Sequence, residues 1–426
     1  MDRRLPRQAG CASSATTRKR PSVIITKKVL RNVSLTAHPI GCRRYVEDQI
    51  AWVQKHAHDA SNPAYPAADN LSLPKRVLVL GGSTGYGLSS RIFAAFAAKA
   101  ATINVSFERE PTENKTATPG WYNTMAFEKK ATEAGLKAFS VFGDAFSNEV
   151  KEKTADLIAK ELGQVDLVVY SLASPLRNDP VTGQTYRSVL KPIGPAFTAL
   201  SVDLDSDVVK TATIEPATNE QVQETVKVMG GEDWSLWVDY LMERNLLAPN
   251  AMTVAYSYIG PKITYPVYRE GTIGKAKEDL ERTAANLTQK LESIQGKAFV
   301  SVNKALVTRA SAVIPVVPLY MALLYEVMKE RGLHEHCTQQ IYRLFTTLLY
   351  ANTEQILTDE QGRIRVDDWE MLDEVQSEVE KRWALQREGE ILKGGDLAGV
   401  QEEYEQIHGF GFADIDYSQD VDPRVI

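Results

Sequence analysis

Tyr268 and Lys277, in the stretch YREGTIGKAK, are a phenol and an ammonium separated by eight residues and two glycines. In one continuous helix nine positions advance about 900°, which puts the two side chains on opposite faces. The pair can act together only if Tyr268 lies outside the helix that carries Lys277. Gly271 and Thr272 provide for that, because glycine lets the chain turn and a threonine N-cap satisfies an orphan backbone N–H. A helix beginning near Ile273 then places Lys277 about one turn in, with Tyr268 in the turn before it. A phenol titrates at about 10, and a nearby ammonium is expected to lower that value by favouring the phenolate. Such a pair stabilises charge that develops on a substrate oxygen, while the lysine grips ribose hydroxyls. Taken alone, the two residues read more readily as a tyrosine packed at a helix start and a solvated lysine. Tyr258, in YSYIGP, reads equally as a second donor in the same cleft or as a tyrosine at the edge of the core.

What turns the balance is a second motif. GGSTGYG, Gly81 to Gly87, directly follows the apolar run RVLVL and directly precedes the alanine-rich SRIFAAFAAKAA. A dinucleotide's pyrophosphate needs backbone N–H groups at a helix N-terminus with no Cβ in the way, and the spacing G-x-x-x-G-x-G is that of short-chain-type reductases. No Lys-Ser/Thr follows the last glycine, so a phosphate-transferring P-loop is not expected. The next strand ends in SFE, where Glu108 can accept from the adenosine ribose hydroxyls. An acid there repels a 2′-phosphate, which predicts NADH over NADPH, with the neighbouring Arg109 softening the preference. Asp144 and Ala145 after the third strand, and Leu172 and Ala173 after the fourth, fall at carboxyl ends where the nucleosides would lie.

The elements that must hold these residues alternate. RVLVL (76–80), TINVSF (102–107), KAFSVFG and VDLVVYSLA (165–173) are short apolar runs separated by helical segments, including GWYNTMAFEKKATEAG and a charged helix over 148–162. That order predicts a Rossmann-type doubly wound parallel sheet whose strands are apolar on both faces. Between Ser174 and Met252 the alternation lapses, with an amphipathic segment at WSLWVDYL, and this reads as an elaboration. MTVAYSYIG (252–260) and AFVSVNKALVT (298–308) return to strand character, and the chain is then mostly helical to about residue 393. No linker rich in Pro, Gly or Ser splits it. The expected organisation is a basic extension over 1–23 and one elaborated domain over 24–426. Within that domain, 75–310 forms the dinucleotide-binding core, 311–395 a helical substrate and lid region, and 396–426 a tail.

Composition narrows the function classes. With 43% hydrophobic and 24% charged residues and a net charge of -6, the chain is a soluble globular type with no general pull toward nucleic acid or acidic lipid. Three cysteines, Cys11, Cys42 and Cys337, are too few for a disulfide framework and fit a reducing compartment. The apolar run from Ser311 to Tyr325 is too short to span a bilayer and is broken by Pro315 and Pro318, so it reads as a buried wall. HEHC (334–337), read as helical, sends its two histidines about 200° apart, so no metal site is expected. His38 precedes Pro39 and Gly41 and reads as part of a turn. No G-x-S-x-G elbow marks a hydrolase.

Eight separated segments agree in order with one family. VLVLGGSTGYGLSSR, GWYNTMAFEK, DLVVYSLASP, VKVMGGEDW, VAYSYIGP, YREGTIGKAK, KALVTRASAVIPVVPLY and VDDWEM resemble the trans-2-enoyl-CoA reductase family, which includes the large single-chain enoyl-acyl-carrier-protein reductases. The resemblance runs from about residue 24 to the C-terminus. It implies NADH-dependent reduction of the 2,3 double bond of an enoyl thioester carried on coenzyme A or acyl carrier protein, the final reductive step of fatty acid elongation. It implies a Tyr-x8-Lys pair, with Tyr268 the proton donor, Lys277 a cofactor contact and Tyr258 a substrate contact. Gly81, Gly82, Ser83, Thr84, Gly85, Tyr86, Phe107, Glu108, Asp144, Ala145, Leu172, Ala173, Leu306, Val307 and Thr308 would line the NADH site. It also implies a monomer with a helical lid over the acyl site. A flavin has been suggested for the family's C-terminal segment, and nothing in this stretch of sequence argues for one. The basic extension departs from the family and leaves two localisations open, cytoplasmic or, if it is a transit peptide, mitochondrial. Two other functions fit the cofactor loop: a short-chain-type carbonyl (3-ketoacyl) reductase, and a protein that senses NADH without turnover.

Overall fold

The computed structural model describes residues 23–30, 33–113, 115–203, 206–308, 316–351 and 355–424. The basic extension up to residue 22 and the first part of the Ser311–Tyr325 run lie outside them. Seven parallel strands form the central sheet: β1 Arg76–Leu80, β2 Ala101–Ser106, β3 Ala138–Phe142, β4 Val165–Tyr170, β5 Leu247–Ser257, β6 Lys297–Val302 and β7 Arg363–Arg365. Their spatial order is β7-β6-β5-β4-β1-β2-β3. The order reverses between β1 and β4, and the crevice at the carboxyl ends of these two strands is where such sheets bind nucleotides.

The strands are apolar on both faces because both are covered. Val77 and Val79 of β1 join Leu167 and Val169 of β4 in one core with helices α1 (Pro39–Ala57), α2 (Gly85–Phe96) and α3 (Pro119–Glu133). Leu78 and Leu80, one residue out of phase, join Val168 and Tyr170 in the opposite core with α4 (Asn148–Glu161) and two later helices. That period of two sorts the side chains of each strand between the two layers.

The stretch after Ser174 builds two antiparallel hairpins, Leu176–Asn178 with Thr185–Arg187 and Phe197–Val202 with Val209–Ile214, followed by α5 (Asn219–Met229) and α6 (Glu232–Glu243). The predicted amphipathic segment is α6, which buries Trp234, Trp237, Val238 and Leu241. The long helix α7 (Thr272–Lys290) leads into β6. Beyond it α8 (Val317–Glu330) is buried almost all round, as expected of a helix without a polar face. It packs with α10 (Asp373–Ala384) and α11 (Leu397–Gln406), while α9 (Cys337–Arg343) covers the first core. No helix among the described residues is long and apolar enough to cross a membrane.

Four local expectations are corrected. Strand β7 lies in the region read as helical, since three residues with only Ile364 apolar give no periodic signal. The C-terminal stretch carries a helix, α11, before its loop. His38 does not sit in a simple turn: it caps α1, with Pro39 as the first helical residue and Nδ1 accepting from the Gly41 N–H. Residues 333–336 are not helical, so His334 and His336 do converge, both on the carboxylate of Glu403.

Candidate active site

The glycine loop is shaped by close approach. Gly81 has φ +90°, and a Cβ there would stand 2.4 Å from the Ser171 carbonyl oxygen. A Cβ on Gly87 would stand 2.1 Å from the Gly81 carbonyl oxygen, so the loop folds against its own helix only with glycine at both places. Asn104 of β2 accepts from the Gly82 N–H at 2.8 Å, and Asn123 donates to the Ser83 carbonyl at 3.2 Å. Thr84 occupies the N-cap of α2 without making a side-chain cap, so the first N–H groups of this helix face the crevice uncapped. These features suit a dinucleotide pyrophosphate: an open helix N-terminus behind a loop with no room for side chains.

Around the loop stand most of the other residues named from sequence. The Ser83 hydroxyl donates to Glu108 at 2.7 Å, tying the acid after β2 to the loop. Phe107 is 82% exposed beside it. Leu172, after β4, lies against Gly81. Thr308 lies against Gly85, and the Tyr86 hydroxyl donates to the Lys304 carbonyl at 2.8 Å, so the segment after β6 reaches α2. Leu306 and Val307 are buried, and the Val307 N–H donates to Tyr325 of α8. Ala173 is exposed just past Leu172. Asp144 and Ala145 follow β3 as expected; Ala145 offers its carbonyl to Lys151 and Trp237, which fixes the backbone there. Because Glu108 presents its carboxylate at the loop, Glu108→Ser is expected to raise the ratio of kcat/KM with NADPH to that with NADH by about 10-fold or more, the size of a relieved like-charge contact. Steady-state kinetics with the two cofactors measure it.

The turn before α7 answers the spacing of Tyr268 and Lys277. Tyr268 donates its N–H to Thr264, and its carbonyl accepts from Gly271. A Cβ on Gly274 would stand 2.0 Å from the Arg269 carbonyl oxygen, so that glycine lets the turn lie directly on the first turn of the helix. Helix α7 starts at Thr272 with Gly271 as N-cap. The expected threonine cap does not form, because the Thr272 hydroxyl is taken by the Val189 carbonyl and the Lys191 N–H of the neighbouring loop.

Both side chains then attach to one strand end. Lys277 donates to the Tyr256 carbonyl at 3.0 Å, and the Tyr268 ring meets the Tyr258 ring edge to face at 4.9 Å. Tyr256 in turn lies 5.9 Å, ring to ring, from Tyr86 of the glycine loop. Among the described residues the Tyr268 hydroxyl has no hydrogen-bond partner, whereas the Tyr258 hydroxyl donates to Glu370 at 3.2 Å. The expected lowering of the Tyr268 phenol is reversed. Burial pushes it up, the Glu370 carboxylate adds in the same direction, and the Lys277 ammonium, held on a backbone carbonyl, does not offset them. Burial also brings Lys277 down from 10.5 to about 8.

Glu370, Tyr320 and Lys304 complete the cluster and were not singled out from sequence. Glu370 is fully buried, accepting from Tyr320 at 2.7 Å and from the Ala305 N–H at 2.8 Å. Lys304 is 2% exposed, with its ammonium 4.8 Å over the Tyr325 ring. A lysine inside the apolar run SVNKALV was a legible sign of a buried cation; Glu370, among Asp and Trp in VDDWEM, carried none. Asn104, a lone amide in the apolar strand TINVSF, was a comparable sign for the loop.

With this geometry in view, three family models match the chain: the NAD(P)H binding domain of trans-2-enoyl-CoA reductase over residues 24–113, the trans-2-enoyl-CoA reductase catalytic region over 115–350, and the enoyl reductase FAD binding domain over 358–421. The enoyl-[acyl-carrier-protein] reductase [NADH] of Flavobacterium johnsoniae is 53% identical over 403 residues, 95% of this chain and 98% of that one. The trans-2-enoyl-CoA reductase [NADH] of Ruminiclostridium cellulolyticum is 49% identical over 403 residues, with 95% and 98% covered. The crystal structure of Treponema denticola trans-2-enoyl-CoA reductase in complex with NAD superimposes with a TM-score of 0.89 at 47% identity, covering 94% of this chain and 98% of that one.

Proposed function

Since the chain belongs to the trans-2-enoyl-CoA reductase family, we propose that it reduces the 2,3 double bond of a trans-2-enoyl thioester with NADH, through Tyr268, Tyr258 and Lys277 on one elaborated Rossmann-type domain. What carries the assignment of residues is the attachment of Tyr268 and Lys277 two residues apart at the end of β5, beside the glycine loop.

NADH bound at the loop supplies the hydride that Cβ of the substrate receives. The chain's own groups do the rest. The uncapped N-terminus of α2 binds the pyrophosphate, Glu108 holds the adenosine ribose, and Lys277 orients the nicotinamide ribose. As hydride arrives, the π electrons of the double bond shift toward the thioester oxygen, and the Tyr258 and Tyr268 hydroxyls stabilise the enolate. Tyr268 then breaks its O–H bond to form the new C–H bond at Cα and takes a proton back from solvent. Its raised pKa keeps that proton in place until the enolate, a far stronger base than water, is there to take it.

The third family model carries a flavin name, so the fit of its residues matters. Across 358–421 the strands are β7, which runs into Val366 with no glycine loop, and the two-residue Asp420–Val421, which pairs antiparallel with Val23–Ile24. The buried acids Asp367 and Glu370 and the part-buried Glu403 are held by Arg365, Tyr320 and Tyr325. These residues offer no cradle for a second dinucleotide, and each step above is assigned without a flavin.

Crotonyl-CoA and acetoacetyl-CoA, offered side by side with NADH and with FAD present or absent, test the reading. NADH consumption with crotonyl-CoA, unchanged by FAD, is expected. Turnover of acetoacetyl-CoA alone would instead make the protein a carbonyl reductase, and NADH binding without turnover of either would make it a sensor.

A further inference from the structure

The Glu370 carboxyl joins the substrate site to the core behind it. Its Oε2 accepts from the Ala305 N–H at 2.8 Å, and its Oε1 accepts from Tyr320 of α8 at 2.7 Å and from Tyr258 at 3.2 Å. The backbone N–H can only donate, so Oε2 must remain an acceptor. Any proton that Glu370 binds therefore goes on Oε1, facing the two phenols. Gln376 fixes the far side by donating to the Tyr320 oxygen at 3.1 Å and to the Glu370 carbonyl at 2.6 Å.

We propose that Glu370 is a positioning residue that switches the Tyr258 hydroxyl between two partners. As a carboxylate it holds the Tyr258 proton on Oε1; as a carboxylic acid it donates from Oε1 to a phenol oxygen and releases the Tyr258 O–H to the thioester oxygen. The proposal rests on the reading of Tyr258 and Tyr268 as groups at the acyl thioester. The groups that face this carboxyl are Tyr258 at the end of β5, Tyr268 in the turn before α7, Tyr320 of α8, Lys304 after β6, Tyr86 of α2 and Asp367 on its own loop. Burial outweighs the favourable donors and Lys304, and lifts Glu370 to about 7, so both forms are populated near neutral pH. The active form is the protonated one, and kcat falls as pH rises through about 7.

The experiment is the pH profile of kcat at saturating NADH and crotonyl-CoA. In the wild-type enzyme kcat is expected to drop by about 10-fold between about pH 6 and pH 8, the fall that one proton titrating at about 7 gives. Glu370→Gln puts its carbonyl on the Ala305 N–H and its amide N–H groups toward the phenols at every pH, so this limb disappears; any limb from Lys277 lies higher and stays. Tyr320→Phe removes a donor to the carboxylate, disfavours the charged form and moves the limb to higher pH, which decides the matter if Glu370→Gln does not fold. A wild-type profile flat across neutrality, a limb that persists in Glu370→Gln, or one that Tyr320→Phe leaves in place would overturn the proposal. A wild-type enzyme that never consumes NADH with crotonyl-CoA would instead strike the functional reading on which it rests.

Discussion

Tyr268→Phe is expected to lower kcat by roughly 100- to 10,000-fold, the range for loss of a positioned proton donor, with NADH affinity changed by no more than about 3-fold. The substitution removes one oxygen and keeps the ring that meets Tyr258 at 4.9 Å. Because the Tyr268 hydroxyl has no hydrogen-bond partner among the described residues, its removal leaves no buried group unsatisfied and the fold intact. The effect on rate is therefore separable from any effect on stability. Stopped-flow turnover with crotonyl-CoA, together with NADH fluorescence titration, reads both numbers. Unchanged turnover would take Tyr268 out of the mechanism and leave Tyr258 as the donor.

Much of this site was legible because its determinants are local. The loop GGSTGYG follows a strand and opens a helix, and its glycines are required by contacts within a few residues and with the adjacent strand. The alternation of Val77 and Val79 with Leu78 and Leu80 likewise states within one strand that both faces are covered. The turn carrying Tyr268 was placed correctly for the same reason, although its cap was not. Thr272 satisfies a local rule, and a loop eighty residues away overrides it. What could not be read depends on distant segments: Glu370 meets Tyr258 across 112 positions of sequence, and Glu403 gathers His334 and His336 from a loop that the helical reading had closed off. Even the sign of the Tyr268 shift is of this kind, since burial first and then the distant Glu370 carboxylate push the phenol up, and the lysine nine residues along does not offset them.

Lys277→Met is expected to separate stability from function in opposite directions. The ammonium is drawn from water onto a single carbonyl, and burial lowers it from 10.5 to about 8. The unfolded chain thus holds this proton to higher pH than the folded one, so the burial cost is present in full below about pH 8 and stability rises as pH climbs from there toward 10.5. A shift of this size corresponds to about 3 kcal/mol if the site is dry. The side chain is only partly buried, so on the order of 1–2 kcal/mol is the fitting figure. Methionine fills a similar volume without the charge. The variant should therefore melt higher than wild type at neutral pH and lose the rise in stability above about pH 8. NADH should bind about 10- to 100-fold more weakly, the loss of a hydrogen bond from a charged donor, and kcat/KM should fall by at least as much. Differential scanning calorimetry and NADH titration across the same pH range test both halves. A variant that is less stable than wild type but binds NADH normally would make Lys277 a structural residue of α7, and the ribose contact would have to be sought among the other groups at the end of β5.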